Sequence, residues 1–447
     1  MCKSLNLLEQ TIAYFKHNPR ALAKLHAAIA QKLKNARAYY HDEVIDFICQ
    51  PFFVTQAEIY GFKKITGKMF SIIRKTTKEY CHNHKFRRKF PFSSIMQDMI
   101  QIDPGYSNPV PIARFDIFYN SKDDFKFCEL NGDGTSAMNE TNSLENAILN
   151  SNILTEIFPG YQFAYFELFE SWLKELLQIY RQWGGKNKPV IAIVDFESLG
   201  TVEEFRKFQE VFQTAGYQTY IVDPRKFNYN RGNLLYKNVK IDLVYRRAVN
   251  REIEKHRDEI EDFQAAYRDK AVCVVGPYRS QIMHNKAFFA ILKDEKNHYL
   301  FNNDELEFIK KHIPQTFLLN NKKIRDFALQ NKYKLVLKPM DYYAARNVAI
   351  GVDSDIKSWE KLIDNALQTK NYLIQEFCPP PEQKLLSESG NFAVDNLNPK
   401  LESFKNTLGL FVYNGKFKGI YHRIGRKNVI ASNSEAIVRP NIIVKDM

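Results

Sequence analysis

No CxxC pair occurs in this sequence; its six cysteines are scattered, which excludes a disulfide framework and fits reduced thiols in a cytoplasm. No uninterrupted apolar run reaches the roughly 18–20 residues of a membrane helix. The first residues carry neither the apolar stretch nor the cleavage site of a secretory signal. There is no GxGxxG turn, so a dinucleotide-binding fold is not supported, and no internal repeat. Cys81-His82-Asn83-His84 has no second ligand pair at a zinc-finger spacing and reads as a surface turn. A soluble, cytoplasmic protein is expected.

What is present is a large apolar inventory. The 34 Phe and 24 Tyr in 447 residues supply area for more than one core, and two or three packed units are expected. The net charge is +13, and the first hundred residues hold 17 Lys/Arg against 7 Asp/Glu. Such a surface can attract a polyanion, but a solvated basic helical face is the preferred reading. The patch His84-Lys85-Phe86-Arg87-Arg88-Lys89-Phe90 is too short for a nucleic-acid platform.

Hydrophobic periodicity divides the chain into four segments. Residues 1–105 read as a helical region, with Asn18-Pro19 separating its first two runs. Residues 106–160 contain a hairpin: Ala113, Phe115, Ile117 and Tyr119 alternate with Arg114, Asp116 and Phe118, and Phe125, Phe127, Glu129 and Asn131 are expected on one face of the second strand. Residues 161–276 read as a long helix, Tyr161 to Trp183, followed by a βαβ unit with a parallel sheet. Residues 277–447 alternate helices and strands, including an Asn414-Gly415 hairpin turn.

Chemistry-bearing residues punctuate this frame. Asp116, Glu129 and Asn131 offer the hard oxygens that hold Mg2+ against phosphates. Lys286 opens an apolar helix and Lys338 ends an apolar strand; Gln375-Glu376 closes another strand, and Arg423 lies on the strand after the Asn414-Gly415 turn. Arg246-Arg247, at a strand end, are placed to clamp a carboxylate or to be plain surface arginines.

The ordered set Ala113-Arg114-Phe115-Asp116, Cys128-Glu129-Leu130-Asn131-Gly132-Asp133, His284-Asn285-Lys286, Leu337-Lys338-Pro339, Gln375-Glu376-Phe377 and Gly419-Ile420-Tyr421-His422-Arg423 resembles the synthetase domain of glutathionylspermidine synthetase. That domain belongs to a circularly permuted ATP-grasp group, which also resembles eukaryotic glutathione synthetase. The resemblance runs from about Pro111 to the C-terminus. It implies a mixed α/β ATP-grasp fold with an inserted βαβ substrate-binding unit and a helical N-terminal region. It also implies ATP and Mg2+ as cofactors, and a reaction joining a small acid to an amine (an amino acid, peptide or polyamine) through an acylphosphate. Asp116, Glu129 and Asn131 would hold Mg2+; Lys286 and Lys338 would contact phosphates; Gln375 and Glu376 would frame adenine and ribose; Arg114 and Arg423 would serve catalysis by neutralising the transferred phosphoryl. The family's amidase half is absent ahead of this region. Its glycine-rich phosphate loop is also replaced, by Tyr342-Tyr343-Ala344-Ala345-Arg346-Asn347, and Ala does not take positive φ cheaply. A ligase therefore ranks first, a nucleotide-binding pseudoenzyme or regulatory protein second, and a nucleic-acid partner last. No membrane partner is expected, and the substrates and oligomeric state are not specified by these residues.

Overall fold

Asn18-Pro19 does divide two helices, Lys3–His17 and Pro19–Asn35, with Pro19 at the first helical position, where its missing N–H costs nothing. These and all later features come from a computed structural model, which describes residues 3–40, 43–197, 201–342, 346–388, 399–430 and 436–445. A reciprocal capping box of Thr55 and Glu58 starts the 27-residue helix Gln56–His82. Its buried side, including Phe62, Ile65 and Met69, covers one face of the main sheet, where Phe62 lies 5.4 Å from Phe417 between ring centroids. The first hundred residues are not wholly helical. Phe52–Val54 forms a strand that pairs in parallel with Asn441–Lys445.

The main sheet has six antiparallel strands. Ile437–Arg439, Lys416–Gly425, Leu401–Tyr413, Ile112–Tyr119 and Phe125–Asn131 lie in that order, and Glu382–Leu386 pairs with the first half of Leu401–Tyr413. Asn414 and Gly415 both have positive φ, at 49° and 79°, the conformation a tight two-residue hairpin needs.

The expected helix from Tyr161 is shorter than the apolar pattern. Gln162–Ala164 is a strand against Asn441–Lys445, and the helix runs Phe169–Trp183. The new start is marked by Glu167, whose carboxylate accepts from the N–H groups of Phe169, Glu170 and Ser171 at 2.6, 2.7 and 2.8 Å. An anion satisfying the first orphan donors fixes the helix start. The βαβ unit forms a four-stranded parallel sheet ordered Cys273–Val275, Leu243–Arg246, Ile191–Val194, Thr219–Val222, with Val202–Thr214 as a crossover helix. A second, antiparallel sheet, ordered Thr316–Leu318, Tyr372–Glu376, Leu335–Pro339, Ala349–Ile350, packs with the helices Lys322–Gln330 and Ile356–Thr369 around Leu337, Trp359, Ile363 and Ile374. Among the described residues no helix is long and apolar enough to cross a membrane.

Candidate functional site

The site begins with a slip in strand register. Ile117 pairs with Phe127, but Asp116 pairs with Glu129 and Arg114 with Asn131, which leaves Cys128 as a bulge. Phe125 and Phe127 point into the core before the bulge and Leu130 does so after it. Glu129 and Asn131 therefore face away from Phe125 and Phe127, not along with them as the alternation predicts. One extra residue reverses the inside-outside parity of everything beyond it. The reversal puts Glu129 and Asn131 on the face that carries Arg114 and Asp116.

Asp116 is 1% exposed and sits between two arginines. Arg114 Nε donates to its Oδ1 at 2.8 Å, and Arg423 Nη2 donates to its Oδ2 at 2.5 Å. Both guanidiniums lie 5.2 Å from the Tyr421 ring centroid. The neighbouring strand makes room by placing Gly409 opposite Asp116. A Cβ there would fall 2.6 Å from Arg114 Cδ and 2.9 Å from Asp116 Oδ1, so only glycine fits beside the pair.

Glu129 links this cluster to the two lysines. Lys286 Nζ is 3.5 Å from Glu129 Oε2 and donates to the carbonyl of Tyr342 at 2.8 Å. Lys338 Nζ donates to Gln375 Oε1 at 2.8 Å and to the Cys128 carbonyl at 3.3 Å. Burial opposes ionisation of Glu129, but Lys286, Lys338, Arg423 and Arg114 outweigh it and hold the carboxyl down at about 2. Gln375 is buried and donates to Thr316 Oγ1 at 3.0 Å, whereas Glu376 is exposed and accepts from the Gln315 N–H at 3.0 Å.

All nine residues singled out in the sequence (Arg114, Asp116, Glu129, Asn131, Lys286, Lys338, Gln375, Glu376 and Arg423) line one cavity of about 760 Å3. As an Mg2+ site the donor set fits in part. Mg2+ takes one or two carboxylates, phosphate oxygens and water. Glu129 and Asn131 can supply that, but Asp116 is engaged by two guanidiniums. Among the described residues no group of three or more His, Cys, Asp or Glu is placed to share a metal ion. Of the altered phosphate loop, Tyr343, Ala344 and Ala345 lie outside the described residues. Asn347 has φ of +58°, the conformation a glycine would take there at no cost. The loop's first residue, Tyr342, stacks under Arg251, 4.1 Å from guanidinium carbon to ring centroid.

The paired arginines of the βαβ unit do not form an open clamp. Arg246 and Arg247 are both buried; Arg246 pairs with Asp133 at 2.9 Å and Arg247 with Glu204 at 2.8 Å. Arg247 still lines the cavity, as do Glu204, Asp195 and Glu140, which sequence reasoning missed. Burial first, and then the Glu204 carboxylate, raise Glu140 to about 8. Burial also lifts Asp195 to about 7 against the pull of Arg247. The basic run at residues 84–90 offers no stacking platform, because Phe90 is buried against Tyr80 and Phe86 against Phe90.

No protein-family model matches the chain, and no curated protein matches it. Among solved structures, a glutathione synthetase-like effector from Globodera pallida, in its apo form, superposes with a TM-score of 0.61 over 95% of this chain and 97% of that one, at 12% identity. D-alanyl-alanine synthetase A from Vibrio cholerae reaches 0.31 over 57% of this chain and 88% of that one at 11% identity. A RimK domain ATP-grasp protein from Sphaerobacter thermophilus reaches 0.28 over 52% and 90% at 14% identity. The last two scores are too low to argue from. The first shows the fold alone: the mixed α/β architecture expected from the sequence, shared with that glutathione synthetase-like effector.

Proposed function

We propose that the cavity is the nucleotide site of an ATP-dependent ligase that joins a carboxylate to an amine, with a circularly permuted arrangement like that of glutathionylspermidine synthetase. The observation that carries this reading is convergence. Lys286, Lys338 and Glu129, from a helix start and two different sheets, meet in one cavity that Gln375 and Glu376 also line. Two ammoniums held apart by a deeply ionised carboxylate form a site ready for a metal-bound polyanion.

In this reading the protein works by position and charge more than by covalent chemistry. Lys286 and Lys338 bind phosphate oxygens, Lys286 exchanging the Tyr342 carbonyl for them. Gln375 and Glu376 orient adenine and ribose. Glu129 and Asn131 would hold Mg2+, which when bound supplies charge neutralisation to the β- and γ-phosphates. Arg114 and Arg423 meet charge that grows as the acid's oxygen attacks the γ-phosphate. An acylphosphate forms, and an amine then displaces phosphate. The test is ADP or phosphate release over a panel of amino acids, peptides and polyamines, with release strictly dependent on an acid and an amine together. The pairing of Asp116 with both arginines favours a second reading, a nucleotide-binding pseudoenzyme. ATP binding with no release across the whole panel would establish it.

A further inference from the structure

The half of the cavity beyond Arg114 carries charge that nucleotide binding does not use. Glu140, in the first turn of the helix Met138–Leu149, is 5% exposed and lines the cavity, yet its Oε2 has no hydrogen-bond partner. The two N–H groups ahead of it, of Met138 and Asn139, are taken by Glu204 at 2.7 and 3.4 Å. Asp195, directly after the strand Ile191–Val194, lines the same cavity and, like Glu140, lies within the field of Arg247. The charged groups facing Glu140 are Glu204, Arg114 and Arg247. Arg247 is paired through Nη2 with Glu204 at 2.8 Å, its buried Nε having no partner, and Arg114 is paired with Asp116. Thr201 Oγ1, on the same wall, is also without a partner. A buried carboxyl with an unused oxygen and no cation of its own is costly until a ligand completes it.

The two halves of the cavity are one backbone step apart. Arg114 donates to the carbonyl of Ser136 at 3.0 Å, and Arg247 donates to the carbonyl of Thr135. Whatever sits against Glu140 therefore lies next to the guanidinium assigned to the acylphosphate.

We propose that Glu140 and Asp195 form the receiving subsite for a protonated primary amine, and that Glu140 is the base that takes its proton as it attacks. This rests on the ligase reading above. An alkylammonium must lose two protons to become an amide nitrogen. One passes to the Glu140 carboxylate, freeing the lone pair. The C–N bond then forms, the bond from carbonyl carbon to phosphate oxygen breaks, and the departing phosphate takes the second proton. Glu140, raised by burial and Glu204 against Arg114 and Arg247, is largely protonated at neutral pH in the empty cavity. An entering ammonium displaces that proton, so binding tightens as pH rises towards about 8 and fades once the amine itself deprotonates, at roughly 10.

The probes are n-propylamine hydrochloride and, as its uncharged isostere, 1-propanol, titrated into the full-length protein by calorimetry between about pH 6 and about pH 8. Propylammonium is expected to bind and propanol not, with affinity rising roughly tenfold per pH unit. Glu140→Gln flattens that slope, and Asp195→Asn weakens binding. Equal binding of the two probes, or a pH-independent affinity in the wild type, overturns the proposal whether or not either variant folds. A Mg-ATP melting scan on the same wild-type sample separates the two readings. A shift with ATP but no propylammonium binding removes the subsite and leaves the nucleotide site standing. Propylammonium binding with the expected slope and no ATP shift removes the ligase and leaves Glu140 as a cation subsite.

Discussion

Replacing Glu129 with Gln keeps the side chain's size and removes one charge from the middle of four cations. The carboxyl is held at about 2 against an ordinary 4.5. At about 1.4 kcal/mol per unit, the ionised form stabilises the fold by roughly 3 kcal/mol. The sign follows from the depressed value. The contribution is fully present above the unfolded pKa and is lost only as pH falls through about 2, so at neutral pH the variant forfeits all of it. With an unfolding entropy of about 2.1 cal/mol/K per residue over 447 residues, that loss lowers the melting temperature by about 3 °C. The same substitution releases Lys286 and Lys338 from their counter-charge. Glu129→Gln is therefore expected to bind ATP more tightly than wild type in metal-free buffer, and to gain little from added Mg2+. Melting scans and ATP titrations with and without Mg2+ measure both effects. A variant that melts with wild type and keeps its metal dependence would refute the electrostatic account of the site.

Lys286→Ala and Lys338→Ala should each weaken Mg-ATP binding by roughly 10- to 100-fold, the loss of one charge-assisted contact, read by calorimetry; millimolar Mg-ATP should raise the wild-type melting temperature. Arg423→Ala should lower single-turnover acylphosphate formation more than ATP affinity. Collapse of affinity with an unchanged rate per bound ATP would make Arg423 a binding residue instead. Arg246→Ala strands Asp133, which is buried and paired with it at 2.9 Å, and should cost about 3–5 kcal/mol of stability. Denaturant titration reads this, with ATP affinity per folded molecule unchanged.

The parts of the site that the sequence made legible are those carried by single elements. Lys286 before an apolar helix, Lys338 before Pro339 and the Asn414-Gly415 turn each announce their place within a few residues, and the structure brings Lys286 and Lys338 to one cavity. The face of Glu129 was misread because alternation counts residues evenly, and nothing in Phe127-Cys128-Glu129 marks the bulge. The early start expected for the helix at Tyr161 failed for a long-range reason. Pairing of residues 162–164 with a strand near the C-terminus has no local signature. Gly409, Glu140 and Asp195 were invisible because each matters only through a neighbour distant in sequence: Arg114 and Asp116 for Gly409, and the shared cavity wall for the two acids.

The bulge at Cys128 gives this strand something like a reading frame. Its chemistry depends on position 128 staying out of the ladder, not on which residue occupies it. A substitution at Cys128 changes one side chain at the cavity wall. Deleting Cys128 would remove the bulge and keep the pairs around it, Phe127 with Ile117, Glu129 with Asp116, Leu130 with Phe115 and Asn131 with Arg114; flattening the bulge with Cys128 still in the strand would instead send Glu129 and Asn131 into the apolar layer and Leu130 out among the lysines. Along this hairpin Cys128 is therefore a residue whose replacement or loss leaves the frame intact, whereas any change that draws it back into the paired alternation turns the site's carboxylate inward.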